Sequence, residues 1–277
     1  MDAPVGVGIG LRQELYESLL STEQALAWLE FVPENYFSER GFRRRTLARC
    51  AERWPLIPHG VALSIGGPDP LDQNYLARLK ALLRAVSAPY FSDHLCFSSA
   101  LGQAFHDLLP LPFTEAAAHH AASRARAAMD AVELPLLLEN ITYYAEMPGS
   151  QLSEGEFISR VLDESGAQLL LDINNVYVNA RNHGRDPLTS LLELPLERTR
   201  QIHLAGHVGD GQRLLDNHGT SVSLEVWELF RAVIHRIGPV PTLIEWDTDV
   251  PHLERVLFEV RVAEQILGEL ERGWDQN

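Results

Sequence analysis

The sequence predicts a single (β/α)8 barrel, a TIM barrel, and three observations carry that expectation. Eight short apolar runs recur along the chain, several apolar on both faces, as in Leu136-Leu137-Leu138 and Leu169-Leu170-Leu171. Such runs suit parallel strands buried on both sides. Helical patterns separate them. The length, 277 residues, fits one α/β barrel domain spanning 1–277 better than a simple sandwich. No linker-like stretch or strong internal repeat divides it, although an open doubly wound sheet would show the same alternation.

The runs are Val5–Gly10, Leu29–Pro33, Leu56–Ile65, Tyr90–Phe97, Leu134–Ile141, Gln168–Ile173, Gln201–Ala205 and Thr242–Trp246. Between them, a helix over Glu39–Trp54 contains Cys50. Asp72 can cap a helix over Leu71–Ser87, whose Leu76, Leu79, Leu83 and Val86 share a face. Thr114–Val132 is alanine-rich. Ser153-Glu154-Gly155-Glu156 fits a capping box, in which hydroxyl and carboxylate satisfy each other's free backbone donors. Ser223 opens a helix that Gly238 ends. Pro251 suits the first turn of the last helix. Val5-Gly6-Val7-Gly8-Ile9-Gly10 has neither the G-K-[ST] of a phosphate loop nor the dinucleotide G-x-G-x-x-G, and reads as a tight first strand.

Composition narrows the function. Hydrophobic residues make up 45%, enough for a large core. Lys plus Arg is 23 against 38 for Asp plus Glu, a formal charge of −15, which argues against nucleic acid or an anionic membrane as partner. No run reaches the roughly 20 apolar residues of a membrane span, and the N-terminus does not read as a signal peptide. The two cysteines, Cys50 and Cys96, form neither a disulfide framework nor a C-x-x-C pair, so a reducing cytoplasm is expected. Both read as packed thiols. His119, His120, His235 and His252 fall in or beside helices and read as surface or capping residues. His106 and His183 fall in loops, without an assigned role.

Ionisable residues instead collect at the ends of the runs. His59 follows Pro58; Asp93 and His94 end the fourth run; Glu139 and Asn140 the fifth; Asp172 with Asn174 and Asn175 the sixth. His203 and His207 belong to the seventh, Asp216-Asn217-His218 to the loop after it, and Glu245 and Asp247 to the eighth. In a barrel these ends converge on one mouth. Burying many charges together is costly unless something pairs them. Imidazole and carboxylate without paired thiolates suit iron, manganese or zinc. Asp216 and His218, two apart, would point the same way from an extended segment. Asp172 and Asn175, three apart, suit a chain turning from strand to loop. His59, His94, Glu139, Asp172, Asn175, His203, Asp216, His218 and Glu245 are thus the candidate metal ligands. Mononuclear sites use about three or four protein ligands, so this many imply two or three ions. Glu139 can bridge two of them. His207, Asn140 and Asp247 are candidates for orienting ligands or handling protons.

His59-Gly60-Val61, Ser92-Asp93-His94-Leu95, Glu139-Asn140, Asp172-Ile173-Asn174-Asn175, His203-Leu204-Ala205-Gly206-His207, Asp216-Asn217-His218 and Glu245-Trp246-Asp247 together resemble the multinuclear non-haem iron-dependent oxidases. That family includes the methanobactin biosynthesis oxidase and was long catalogued as uncharacterised. Val7-Gly8-Ile9-Gly10-Leu11-Arg12 and Pro33-Glu34-Asn35-Tyr36 match it as well, so the resemblance covers almost the whole chain. It implies a xylose-isomerase-like barrel holding two or three iron ions, mixed ferrous and ferric. It also implies O2 as co-substrate, a ribosomally made precursor peptide modified at cysteine or another residue, and a partner protein that binds the peptide leader. The layout resembles the trinuclear-zinc apurinic endonucleases too, which carry His where this chain has Asn175. A metal-dependent isomerase or endonuclease-IV-like phosphoesterase on the same barrel is therefore the alternative.

Overall fold

Alternation along each strand builds the interior of this protein in two layers, an apolar floor and a polar layer above it. The computed structural model describes residues 3–38 and 40–274. Its strands are β1 (Val7–Gly10), β2 (Leu29–Phe31), β3 (Leu56–Gly60), β4 (Phe91–His94), β5 (Phe97–Ala100), β6 (Gln103–Leu109), β7 (Leu136–Glu139), β8 (Gln168–Asp172), β9 (Thr199–Leu204), β10 (His207–Gly209), β11 (Leu214–Asp216) and β12 (Thr242–Ile244). Its helices are α1 (Tyr16–Ser21), α2 (Phe42–Ala51), α3 (Gln73–Val86), α4 (Glu115–Val132), α5 (Glu154–Ser165), α6 (Ile173–Asn182), α7 (Pro187–Leu192), α8 (Leu224–Ile237) and α9 (Leu253–Trp274).

Eight strands close a barrel in the order β1-β12-β9-β8-β7-β4-β3-β2. Every pairing around it is parallel. Because β1 pairs with both β2 and β12, the sheet has no edge, which removes the open-sheet alternative. Trp28, Ile57, Tyr90, Leu137, Leu170 and Leu243 pack together as the floor. Two residues further along the same strands, the period of a pleated strand puts Glu30, His59, Ser92, Glu139, Asp172 and Glu245 on the same side. The sheet's outer face packs against helices in the larger core, with Phe31, Phe91, Leu138, Leu171 and Ile244 among its buried residues.

Each predicted run overlaps a barrel strand; seven of the strands are shorter than their runs, and β9 begins at Thr199, before the predicted Gln201, and is one residue longer than its run. Several helix boundaries also move. Asp72 caps α3 by accepting from the Asn74 and Tyr75 amides, and the Ser153–Glu156 capping box forms at α5. The helix expected over Glu39–Trp54 spans Phe42–Ala51; Glu39 lies outside the described residues. The last helix starts at Leu253, so Pro251 precedes it instead of sitting in its first turn. The expected loop after Asp172 is instead α6, because the Asp172 carboxylate accepts from the Asn175 amide and caps a helix directly off the strand. Two antiparallel hairpins, β5–β6 and β10–β11, were not expected from the sequence.

Candidate metal centre

Strand register brings the candidate ligands together. His94 lies beside Glu139 across β4–β7, and Asp172 beside His203 across β8–β9. Glu245 follows β12, and its amide donates to the Leu204 carbonyl of β9 at 2.9 Å. His218 reaches the cluster from the loop after β11. It does so with φ at 45°, a left-handed backbone that non-glycine residues seldom adopt. The Asp247 amide holds that turn by donating to the His218 carbonyl at 2.8 Å. The Asp216–His218 segment is therefore a turn and not the extended pair expected, although the two side chains still meet, Nε2 to Oδ1 at 2.7 Å.

The donor atoms form a chain of overlapping groups. His59 Nε2 and His94 Nε2 lie 3.0 and 3.2 Å from Glu139 Oε2. His203 Nδ1 lies 3.4 Å from Glu139 Oε1 and 3.0 Å from Glu245 Oε2. His218 Nδ1 lies 3.2 Å from Glu245 Oε2 and 3.3 Å from Asp247 Oδ2. Three groups could each hold a cation: His59–His94–Glu139, Glu139–Asp172–His203–Glu245, and His218–Glu245–Asp247. Glu139 belongs to the first two and Glu245 to the last two, so each carboxylate can bridge.

Hydrogen-bond accounting favours cations at these groups. The Ser92 hydroxyl donates to the Pro58 carbonyl, so it accepts from His59 Nδ1 at 2.9 Å and leaves the Nε2 lone pair facing inward. His94 Nδ1 donates to the Gly60 carbonyl at 3.2 Å, with the same result. Glu139 Oε2, Asp172 Oδ2, His203 Nδ1 and both ring nitrogens of His218 are buried, and the polar atoms they meet are those of the cluster itself and not a hydrogen-bond partner outside it. Buried polar atoms are ordinarily satisfied. Nitrogen and oxygen atoms converging in this way are a donor set that a metal ion satisfies in place of the protons they otherwise share.

Charge gives the same reading. Burial pushes the Asp172 carboxyl well above its usual range; His218 opposes that, while Glu139, Asp216 and Glu245 reinforce it. Burial also disfavours ionised Glu139, yet His94, His59 and His203 around it hold its pKa below the ordinary value. Burial would lower the His59 pKa, but Glu139 at hydrogen-bond distance outweighs it and raises the imidazole to about 9. Carboxylates crowded in low dielectric must take up protons or cations.

The remaining candidates have distinct surroundings. Asn175 lies beside the donor groups, its carbonyl accepting from the Thr142 hydroxyl at 2.8 Å and its amide donating to the Asn140 carbonyl. Asn140 pairs reciprocally with the Asp172 backbone and fixes the end of β8. His207 donates from Nδ1 to Asn174, whose amide donates to Asp216, so His207 orients Asp216 through one intermediary. Asp247, expected as an orienting residue, belongs to a donor group itself. Cys96 is buried, as is Cys50.

Two further residues at the site had no role expected from the sequence. Arg12 donates to the Trp246 carbonyl and pairs with Glu245 and Asp247. Glu30 meets His203 Nε2 at 3.1 Å. A charged residue inside the apolar run Leu29–Pro33 was the available signal for Glu30, and the Gly10-Leu11-Arg12 motif that for Arg12. Above the cluster, a mouth of about 860 Å³ is lined by Val61, Phe105, His106 and Tyr144 together with candidate ligands, among them His59, His94, Glu139, His218 and Glu245.

Known proteins share this plan. The UPF0276 protein of Acaryochloris marina is 42% identical, covering 96% of each chain. That of Caulobacter vibrioides is 40% identical over 93% of this chain and 92% of its own. Endonuclease IV from Thermus thermophilus superposes with a TM-score of 0.61 at 17% identity, covering 95% of this chain and 99% of that one. An L-ribulose 3-epimerase gives 0.58 at 12% identity, covering 98% and 97%. At such identities these two establish the fold alone, a closed (β/α)8 barrel. Residues 6–268 match the family described as RiPP precursor modification enzyme MbnB/TglH/ChrH. The chain belongs to that RiPP precursor modification enzyme family.

Proposed function

We propose that this protein is a multinuclear, iron-dependent oxidase that uses O2 to modify cysteine, or another residue, of a ribosomally made precursor peptide. The observation that carries the reading is the run of three donor groups joined through Glu139 and Glu245, which suits two or three ions. His59, His94, Glu139, Asp172, His203, His218 and Glu245 would hold them, with Asp247 closing the third group and Asp216 and Asn175 flanking. Bound iron would supply the redox chemistry, activating O2 and acidifying a substrate thiol.

The chain's own residues would do the rest. Ser92 and the Gly60 carbonyl hold the His59 and His94 rings with their lone pairs inward. Arg12 fixes Glu245 and Asp247. Val61, Phe105 and Tyr144 give the mouth apolar walls that a peptide side chain would meet while water is excluded. A partner protein would deliver the peptide by its leader, in the cytoplasm.

A phosphoesterase or sugar isomerase on the same barrel is the alternative. The formal charge of −15 over the whole chain disfavours a nucleic-acid backbone as partner. The test is anaerobic iron loading, then O2 uptake and mass spectrometry with a cysteine-containing precursor peptide encoded beside this protein. O2 consumption with a mass change at cysteine supports the oxidase. Turnover of a sugar or abasic DNA under strict anaerobiosis, with no peptide modified in air, would sink it.

A further inference from the structure

Glu30 is 2% exposed, the middle residue of β2, in the layer directly above the apolar floor. Its Oε2 lies 2.6 Å from Gln201 Nε2 and 3.1 Å from His203 Nε2. Gln201 has a fixed orientation, because its Oε1 accepts from the Tyr90 hydroxyl at 2.7 Å, so its Nε2 hydrogens face Glu30 and His203. His203 is fully buried and has two tautomers to choose between. In one, Nε2–H donates to Glu30 and the Nδ1 lone pair faces Glu139 and Glu245. In the other, Nε2 accepts from Gln201 Nε2 at 2.9 Å and Nδ1 carries the proton into the donor group. The second would press a nitrogen lone pair against the Glu30 oxygen at 3.1 Å, where no donor group lies to relieve it, whereas the first leaves the Nδ1 lone pair beside Glu245 Oε2 at 3.0 Å, inside the central donor group where a cation would sit.

We propose that Glu30 is a positioning residue: its carboxylate selects the Nε2–H tautomer of His203 and so makes Nδ1 a metal ligand of the central donor group. The proposal rests on the metal-centre reading and goes beyond it. Glu30 is not a member of the three donor groups; its hydrogen-bond contact with them is through the outward Nε2 of His203. A carboxylate behind a histidine ligand also makes that imidazole a stronger donor.

The test uses the full chain, stripped of metal and titrated anaerobically with Co2+ against a competing chelator, as wild type, Glu30→Gln and Glu30→Ala. Circular dichroism checks that each variant folds. Removal of such outer partners typically weakens affinity about 10- to 100-fold. We expect Glu30→Ala to lose affinity on that scale for one ion and to change its d–d absorption, with the His59–His94–Glu139 group still filling. Glu30→Gln keeps the shape but not the charge, and should fall between. In the zinc-loaded, 15N-histidine-labelled protein, a far-downfield Nε2–H resonance of His203 should move upfield in Glu30→Gln, which a purely structural role would not produce. If Glu30→Ala does not fold, Glu30→Gln decides.

Variants that fold, bind the full complement with wild-type affinity and keep the wild-type resonance overturn the assignment. Wild-type protein that takes up no Co2+ overturns the metal centre and this assignment together. Co2+ results as expected, with no O2 consumption by the iron-loaded protein, overturn the oxidase alone and support the role of Glu30.

Discussion

Asp172 has two tasks that pull its charge in opposite directions. One oxygen caps α6 through the Asn175 amide at 2.6 Å; the other is buried, unpartnered and faces carboxylates. Asp172→Asn keeps the cap and removes the repulsion. We expect the metal-free variant to melt at or above the wild-type temperature, yet to bind metal at least roughly 100-fold more weakly. Calorimetry and metal titration check the two halves. pH provides a second residue-scale check. Without metal, the folded His59 pKa of about 9 exceeds its ordinary 6.5. The protonated pair with Glu139 therefore contributes its full stability below about pH 6.5 and loses it as pH rises through about 9. Metal uptake must displace that proton, so affinity should strengthen over the same window. Denaturant melts of metal-free protein and chelator competition across that range measure both slopes. At this scale most of the candidate cluster was legible, because His59, His94, Glu139, Asp172, His203 and Glu245 stand at or near the ends of apolar runs. Glu30 was not assigned, because one charge in a short run does not reveal which face it takes. A one-residue change of register would turn it outward.

At the scale of elements, the barrel strands were legible because they are buried on both faces and read as continuous apolar runs. The hairpins β5–β6 and β10–β11 were not. They border the mouth and, Ser98 apart, are half-buried or exposed, so no core face imposes alternation on them. α6 was missed because its start is set by a cap on the last strand residue and not by a separate loop. The β1–β2 contact shows how tightly the floor is built. A methyl group at Gly8 would run into the Trp28 ring, which is fully buried and whose indole donates to the Gly6 carbonyl at 3.2 Å. Gly8→Ala should therefore destabilise the fold by about 1–3 kcal/mol, as overpacking does, in a denaturant titration. The layer of candidate metal ligands sits directly above, so weaker metal binding should accompany the shift.

At the scale of the molecule, the formal −15 is partly a surface property and partly the acid set at the mouth. Two or three divalent ions would offset four to six of those charges. Ions that bind the folded chain alone stabilise it by about 2.7 kcal/mol per site at 100 times the dissociation constant. For a chain of this size that raises the melting temperature by roughly 5 °C per site. Scanning calorimetry with and without chelator should show the rise and its reversal. The most direct test of the multinuclear iron centre is anaerobic loading with ferrous iron, removal of excess, and an iron count with Mössbauer spectroscopy. The expected result is two or three irons per chain, retained and coupled to one another through shared carboxylates. Stoichiometric zinc that iron does not replace, with no iron retained, would contradict it.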